Sequence, residues 1–507
     1  MSLQYVPGYV NDCDPFDQVT SEKLSRPDRI LFIAAEATPF VKVGGLGDVA
    51  GSLPRALRDL GFDLRLALPL HPQIERDRYR LERLARIEIP SRHGEIPAEV
   101  FYTEVDALPV YLVASPLIPA EGPVYSTDSG RDGPKFVHFC LAALAIAGHT
   151  GWQPDLIHAN DWHTAVAPYV QLLRRESDPV LARTASLLTV HNLPYQGEGA
   201  GAALAEFGIP PATGSPLPWW AQDRPLALGL LAADHVNTVS PGYAVEMQTE
   251  AFGAGLDGFL RQHRAGRLNG ILNGLDLAAW DPATDAALTV NYNRDNLKEK
   301  AANKAALQRE AGLKVDPEIP LFGIVSRMDE QKGIDLAVEG LRLVRDRAWQ
   351  AVILGTGNRE IEAAAISLAE QNPGRARVWI DFNDALGRRI YAGADVFLIP
   401  SRYEPCGLTQ MIAMRYGAVP LASAVGGLKD TVRDYSEGGD STGFLFRNPS
   451  PFEFADAILR VIEVFGDRRR WRGLQLRGMK QDFSWDGPAK LYRDLYRGLI
   501  ARRKEGS

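Results

Sequence analysis

Short, nearly uninterrupted apolar runs alternate along the chain with longer stretches in which apolar positions recur every three or four residues. Runs of the first kind read as strands buried on both faces, and stretches of the second kind as helices with one apolar stripe. Residues 29–36, 63–69, 156–159, 186–190 and 235–239 form a first series of strands. Helices are predicted among them over 47–60, closed by Gly61, and over 163–174. A polar, Lys-rich helix over 294–311 precedes a second series of strands at 321–326, 350–354, 377–381 and 396–400. Strands alternating with helices predict parallel sheets covered by helices. The expected fold class is therefore α/β, with two facing doubly wound, Rossmann-like units and a cleft between them, since such sheets bind ligands beyond the carboxyl ends of their strands.

The same pattern divides the chain. Residues 1–28 form a polar leader interrupted by Pro7, Pro15 and Pro27, and read as irregular. The first unit is expected over 29–272 and the second over 273–484, with the segment 270–274 as the exit from the first. Helical spacing over 485–500 makes 485–507 a terminal helix, expected to pack back on the first unit.

Several loops at predicted strand ends carry chemistry. Lys42-Val43-Gly44-Gly45-Leu46-Gly47-Asp48 puts a cation and three glycines between a strand and a helix, where backbone N–H groups can approach an anionic or sugar ligand. His158-Ala159-Asn160-Asp161-Trp162-His163 and Thr189-Val190-His191-Asn192-Leu193-Pro194-Tyr195-Gln196-Gly197 supply donors, acceptors and aromatic faces suited to a sugar. Ser326-Arg327-Met328-Asp329-Glu330-Gln331-Lys332-Gly333 sets two cations around one helix start, which suits a diphosphate. Pro400-Ser401-Arg402-Tyr403-Glu404-Pro405-Cys406-Gly407-Leu408-Thr409-Gln410 offers Glu404 to sugar hydroxyls and the N–H groups of Gly407 to Thr409 to phosphate. Cys406 reads as a small packed residue rather than a nucleophile, because no histidine stands near it in sequence.

Composition narrows the classes. The 507 residues, 45% of them apolar, suffice for two or three cores. Lys and Arg (56) nearly balance Asp and Glu (63) for a net charge of −7, so no basic field points to nucleic acid or an anionic membrane. The run Arg468-Arg469-Arg470-Trp471-Arg472 reads as the solvated face of a helix. Cys13, Cys140 and Cys406 have no CxxC spacing, which argues against a disulfide framework or structural zinc and makes a reducing cytoplasm the expected location. No signal-peptide core or membrane-length apolar run occurs. His158, His163 and His191 lack HExxH spacing, and Asp12-Cys13-Asp14 lies in the leader, so no metal is expected.

Taken in order, KVGGLGDV, HANDWH, TVHNLPYQG, NTVSPGYA, ILNGLD, SRMDEQKG, PSRYEPCGLTQ and the terminal FSWDGPAKLY segment resemble the bacterial glycogen synthase and plant starch synthase family, from about Arg29 onward. The resemblance implies a retaining glucosyltransferase of the two-domain GT-B type, without a cofactor. It implies that Lys42 and the Gly44-Gly45 loop, with Asp48, face the donor; that Arg327 and Lys332 hold its diphosphate; and that Glu404 contacts the transferred glucose. It also implies that Cys406, Gly407, Leu408 and Thr409 line the donor site, that His191 sits by the reacting carbon through ring and backbone carbonyl, and that Asn160, Asp161 and Asn192 are neighbouring sugar contacts. Phe382 stands where the family often stacks a tyrosine on the nucleobase. The segment Ala422-Ser423-Ala424-Val425-Gly426-Gly427 lacks the arginines and threonine that relatives commonly carry, and Ala227 stands where they commonly have a lysine. The implied donor is ADP-glucose, with UDP-glucose as the alternative, and the implied acceptor an α-1,4-glucan such as glycogen or maltooligosaccharides. A reading from another class is a catalytically silent glucan-binding protein, for which Trp219-Trp220 is either a sugar platform or a packed loop.

Overall fold

The computed structural model describes residues 26–126 and 128–505, so most of the leader, with Asp12-Cys13-Asp14, lies outside the described residues. Nine strands build the first sheet: β1 (Arg29–Ile33), β2 (Asp63–Pro69), β3 (Glu82–Ser91), β4 (Gly94–Val105), β5 (Leu108–Ala114), β6 (Leu156–Asn160), β7 (Ala185–Val190), β8 (His235–Thr238) and β9 (Leu268–Gly270). Their order is β3-β4-β5-β2-β1-β6-β7-β8-β9. The second sheet holds β10 (Leu321–Val325), β11 (Gln350–Gly355), β12 (Ala376–Ile380), β13 (Val396–Ile399), β14 (Val419–Ser423) and β15 (Phe444–Phe446), in the order β12-β11-β10-β13-β14-β15 and parallel throughout.

Burial on both faces explains why these strands are apolar without interruption. In β1, Leu31 and Ile33 enter one core cluster while Ile30 and Phe32 enter another, on the opposite face. In β11, Val352 and Leu354 face one cluster of the second sheet, and Ala351 and Ile353 the other.

One part of the first sheet departs from the expected parallel pattern. Strands β3, β4 and β5 form an antiparallel meander at its edge. In β3 only Ile87 and Ile89 are buried, among the charged residues Glu82, Arg83, Arg86 and Glu88. Such a half-solvated strand alternates instead of forming an apolar run. Smaller differences lie at element ends. The first helix spans Gly45–Asp59, so the glycine loop itself makes the first turn. The Lys-rich helix is Lys300–Glu310, and helix Val166–Arg174 starts only after His163. The basic run opens helix Arg468–Lys480, with Trp471 buried and Arg468 and Arg470 paired to Glu318 and Asp467 on the solvent side. No helix among the described residues is long and apolar enough to cross a membrane.

The chain passes between the sheets twice, side by side. Leu275 N donates to Phe483 O at 2.7 Å, and a Cβ on Gly274 would lie 2.9 Å from the Ser484 backbone. Helix Asp486–Glu505 then packs against the first sheet, with Tyr492 and Tyr496 fully buried. The Tyr496 hydroxyl is 2.6 Å from His158 Nδ1, whose other ring nitrogen is 2.7 Å from Thr189 Oγ1. Asn237 Nδ2 donates to the Tyr492 hydroxyl at 2.8 Å. His158 is thus a satisfied core residue. Tyr496→Phe strands a buried ring nitrogen and should lower unfolding free energy by about 1–2 kcal/mol, read from the midpoint of urea denaturation.

Candidate active site

The strand-end loops predicted from the sequence are held by carboxylates. Glu36, just past β1, accepts the N–H groups of Val43 and Gly44 (3.1 Å for Gly44) and so closes the glycine loop. Burial pushes its carboxyl above the usual range. Lys42 Nζ lies 2.8 Å from Asp48 in the first turn of the following helix. A side chain on Gly45 would meet nothing within 4 Å, so the loop is open there to a ligand.

At the ends of β6 and β7, Asp161 takes a left-handed backbone (φ 57°) and is buried. Its Oδ1 accepts from His191 N at 2.6 Å and Asn192 N at 3.2 Å. One oxygen taking both bonds leaves the other able to carry a proton, in keeping with a carboxyl that burial raises to about 7. Asn160, fully buried, donates to Ile33 O at 3.1 Å and turns its Oδ1 to His191 Nε2 at 3.0 Å. Desolvation holds the His191 ring pKa down at about 3, so the ring is neutral. Because Asn160 Oδ1 can only accept, Nε2 carries the proton and Nδ1 keeps its lone pair. Asn160 therefore orients His191 from behind rather than facing the cleft. His163 packs among the rings of Tyr125, Phe136 and Trp162. The three histidines share no metal site, and no group of three His, Cys, Asp or Glu side chains suited to a metal occurs among the described residues.

In the second unit, Asp329 caps the short helix Glu330–Lys332 by accepting from Lys332 N at 3.0 Å, and pairs with Arg327 at 2.9 Å. Arg327 itself is exposed. Gly333 (φ 65°) has room for no side chain: a Cβ would lie 2.0 Å from Pro400 O. That contact brings the Lys332 and Glu404 loops together, and Lys332 Nζ reaches the Glu404 carboxylate at 2.7 and 2.9 Å. Glu404 also accepts from Ser401 Oγ at 2.9 Å and is buried. Burial pushes the Cys406 thiol up to about 12, as a packed, unreactive cysteine requires. Gln410 Nε2 donates to Cys406 O at 3.0 Å and Gly407 O at 2.6 Å, which fixes the loop. Leu408 precedes helix Thr409–Arg415.

The two units meet at these loops. Ser240 Oγ of the first unit donates to Pro405 O of the second at 2.5 Å. A cavity of about 260 Å³ between them is lined by Lys42, Asp48, Arg55, Asp276, Asp384, Arg388 and Leu408, among others. Phe382, 87% exposed, stands free just past β12. Ala422 and Ser423, in β14, are buried and bring no charge to the site. Ala227 is packed in the core. Trp219 is 84% exposed on a single 3-10 turn, whereas Trp220 lies under the Arg224 guanidinium at 4.4 Å. Sequence reasoning missed Glu36, Ser401, Tyr403 and Asn273, a buried residue beside Cys406. Glu36 ends a predicted strand and Asn273 sits in ILNGLD, so position alone could have flagged both.

Known proteins resemble this chain in sequence and fold. Residues 29–262 match a family model described as starch synthase catalytic domain, and 307–473 one described as glycosyl transferases group 1. A glycogen synthase of Anaeromyxobacter sp. (strain Fw109-5) is 43% identical over 93% of this chain and 99% of its own length. A glycogen synthase of Geotalea uraniireducens (strain Rf4) is 40% identical over 94% and 99%. The catalytic domain of starch synthase IV from Arabidopsis thaliana, bound to ADP and acarbose, superposes with a TM-score of 0.84 at 31% identity, covering 94% of this chain and all of that one.

Asp161 carries a pH dependence. With its carboxyl raised from 3.8 to about 7, the folded chain holds a proton that the unfolded chain releases at lower pH. Stability contributed by this group therefore falls as pH rises from about 4 to 7 and is level above. Asp161→Asn should remove that part of the slope in urea denaturation followed from about pH 4.5 to 8; an unchanged slope contradicts the assignment.

Proposed function

The chain belongs to the glycogen and starch synthase family of GT-B glycosyltransferases, and from that premise we propose that it transfers glucose from ADP-glucose to the non-reducing end of an α-1,4-glucan with retention of configuration. The observation that carries this reading is the Lys332–Glu404 pair, a cation and a sugar-competent carboxylate 2.7 Å apart at the junction of two strand-end loops. Arg327 stands exposed beside it. The ADP of the bound plant starch synthase supports the donor assignment.

In this reading Arg327 and Lys332 take the donor diphosphate, Lys42 exchanges its Asp48 partner for the same group, and the Gly407–Thr409 N–H groups add to them. Glu404 and the Cys406-Gly407 backbone hold the glucose hydroxyls, and Phe382 stacks on the base. As the bond from the anomeric carbon to phosphate oxygen breaks, its electron pair goes to the diphosphate, where the fixed cations stabilise it more than in the ground state. The glucan hydroxyl adds to the same face of that carbon and gives its proton to the departing phosphate oxygen. His191, neutral and oriented by Asn160, lies by that face with its backbone carbonyl; Asp161 and Asn192 order the loop. UDP-glucose is the second reading, because an exposed phenylalanine stacks on either base without selecting one.

The test is nucleoside diphosphate release from ADP-glucose and UDP-glucose, each with and without glycogen. Glycogen-dependent release with ADP-glucose the faster donor is expected; no release from folded protein would support the silent glucan-binding reading. Lys332→Ala should lower kcat about 10²- to 10³-fold without loss of folding, because one preorganised charge on the leaving group is removed. Wild-type turnover in that variant contradicts the assigned role.

A further inference from the structure

Behind the Glu404 loop the two units are joined by a pair of short helices, Pro241–Glu246 of the first and Gly426–Thr431 of the second. Glu246 is buried, and its Oε1 accepts from Gly426 N at 2.8 Å and from Lys429 Nζ at 2.9 Å. Its Oε2 is buried without a partner. Asp430 returns a bond, accepting from Gly242 N at 2.7 Å. Gly242 has no room for a side chain, since a Cβ would lie 2.7 Å from Gly426 O.

Each helix also touches a site loop. Gly427 N donates to Glu404 O at 3.1 Å, and Gly426 (φ 43°) packs so closely that a Cβ would lie 2.0 Å from the same oxygen. On the other side the Tyr243 hydroxyl accepts from Leu193 N at 3.1 Å, two residues past His191. A line of contacts thus runs from the His191 loop to Tyr243, along its helix to Glu246, across to Gly426 and Gly427, and on to the Glu404 carbonyl, with Lys429 bracing it at Glu246. The segment 422–425 supplies no cation to this junction, and Lys429 meets Glu246 instead.

Resting on the transferase reading above, we propose that Lys429 is a positioning residue: its ion pair with Glu246 clamps the two units in the arrangement that holds the Glu404 loop and the His191 loop on one junction. The physical basis is the half-satisfied Glu246 carboxylate. Paired with Lys429 it tolerates burial; unpaired, it gains most by parting the helices and meeting water.

The test compares Lys429→Met, which keeps the stem and removes the charge, with Lys429→Arg and Glu246→Gln. Spin labels on one exposed position of each unit report the separation in the resting protein, and steady-state kinetics report turnover. Lys429→Met should lengthen and broaden the separation and lower kcat on the order of tenfold, as a small misplacement of reacting groups does. Lys429→Arg should restore both, and Glu246→Gln combined with Lys429→Met should cost little more than either alone. Wild-type separation in Lys429→Met overturns the proposal, as does a loss of kcat that Lys429→Arg fails to recover. If the wild-type protein transfers no glucose, the transferase reading fails while the label distances still decide on the clamp.

Discussion

Charge taken out of water must find a partner, and the centre of this molecule is organised around that constraint. Four carboxylates, those of Glu36, Asp161, Glu246 and Glu404, sit buried or nearly so where loops from two sheets converge. Backbone N–H groups serve two of them and lysines the other two. Glu36 collects backbone N–H groups, Asp161 does so while holding its own proton up to about pH 7, and Glu246 and Glu404 take lysines. Glu36 closes its own loop, whereas the partners of Asp161, Glu246 and Glu404 come from distant parts of the chain, so satisfying those three also fixes one loop against another. Electrostatics and geometry are here the same requirement.

Such an arrangement is costly as pure scaffolding, since apolar residues of similar size would pack as well. It becomes useful when a ligand brings its own charge. A diphosphate entering beside Arg327 and Lys332 would meet one cation, Lys332, already aimed and largely out of water, and a second, Arg327, still in contact with solvent. The neutral His191 ring, turned by Asn160, avoids adding a further charge that the incoming group would have to balance.

Much of this was legible in the residues. Strands buried on both faces announce themselves as apolar runs, and glycine-rich or charged loops at their ends mark the cleft, which is why β1, β6, β7, β10 and β13 and the loops that follow them could be read directly. The β3–β5 meander escaped because half-solvated strands alternate and blur into polar sequence. The division of labour within the site escaped for another reason. Asn160 and Asp161 are adjacent and equally polar, yet one faces Ile33 and His191 from the core while the other bends into a left-handed turn. Only tertiary packing separates them. Lys429 and Glu246 are 183 positions apart, and nothing local to either marks the pairing.

The terminal helix has a consequence for how the protein comes into being. Trp485, Ala489, Tyr492, Tyr496, Leu499 and Ile500 complete a core cluster whose other members come from residues 30–271, whereas the clusters of the second sheet use nothing beyond residue 483. On the ribosome, where domains fold largely as they emerge, the half of the protein made first cannot finish its core until residues 485–500 have emerged, and the half made second has all of its core residues before then. The early half must wait with an apolar face uncovered, so synthesis order and folding order are reversed.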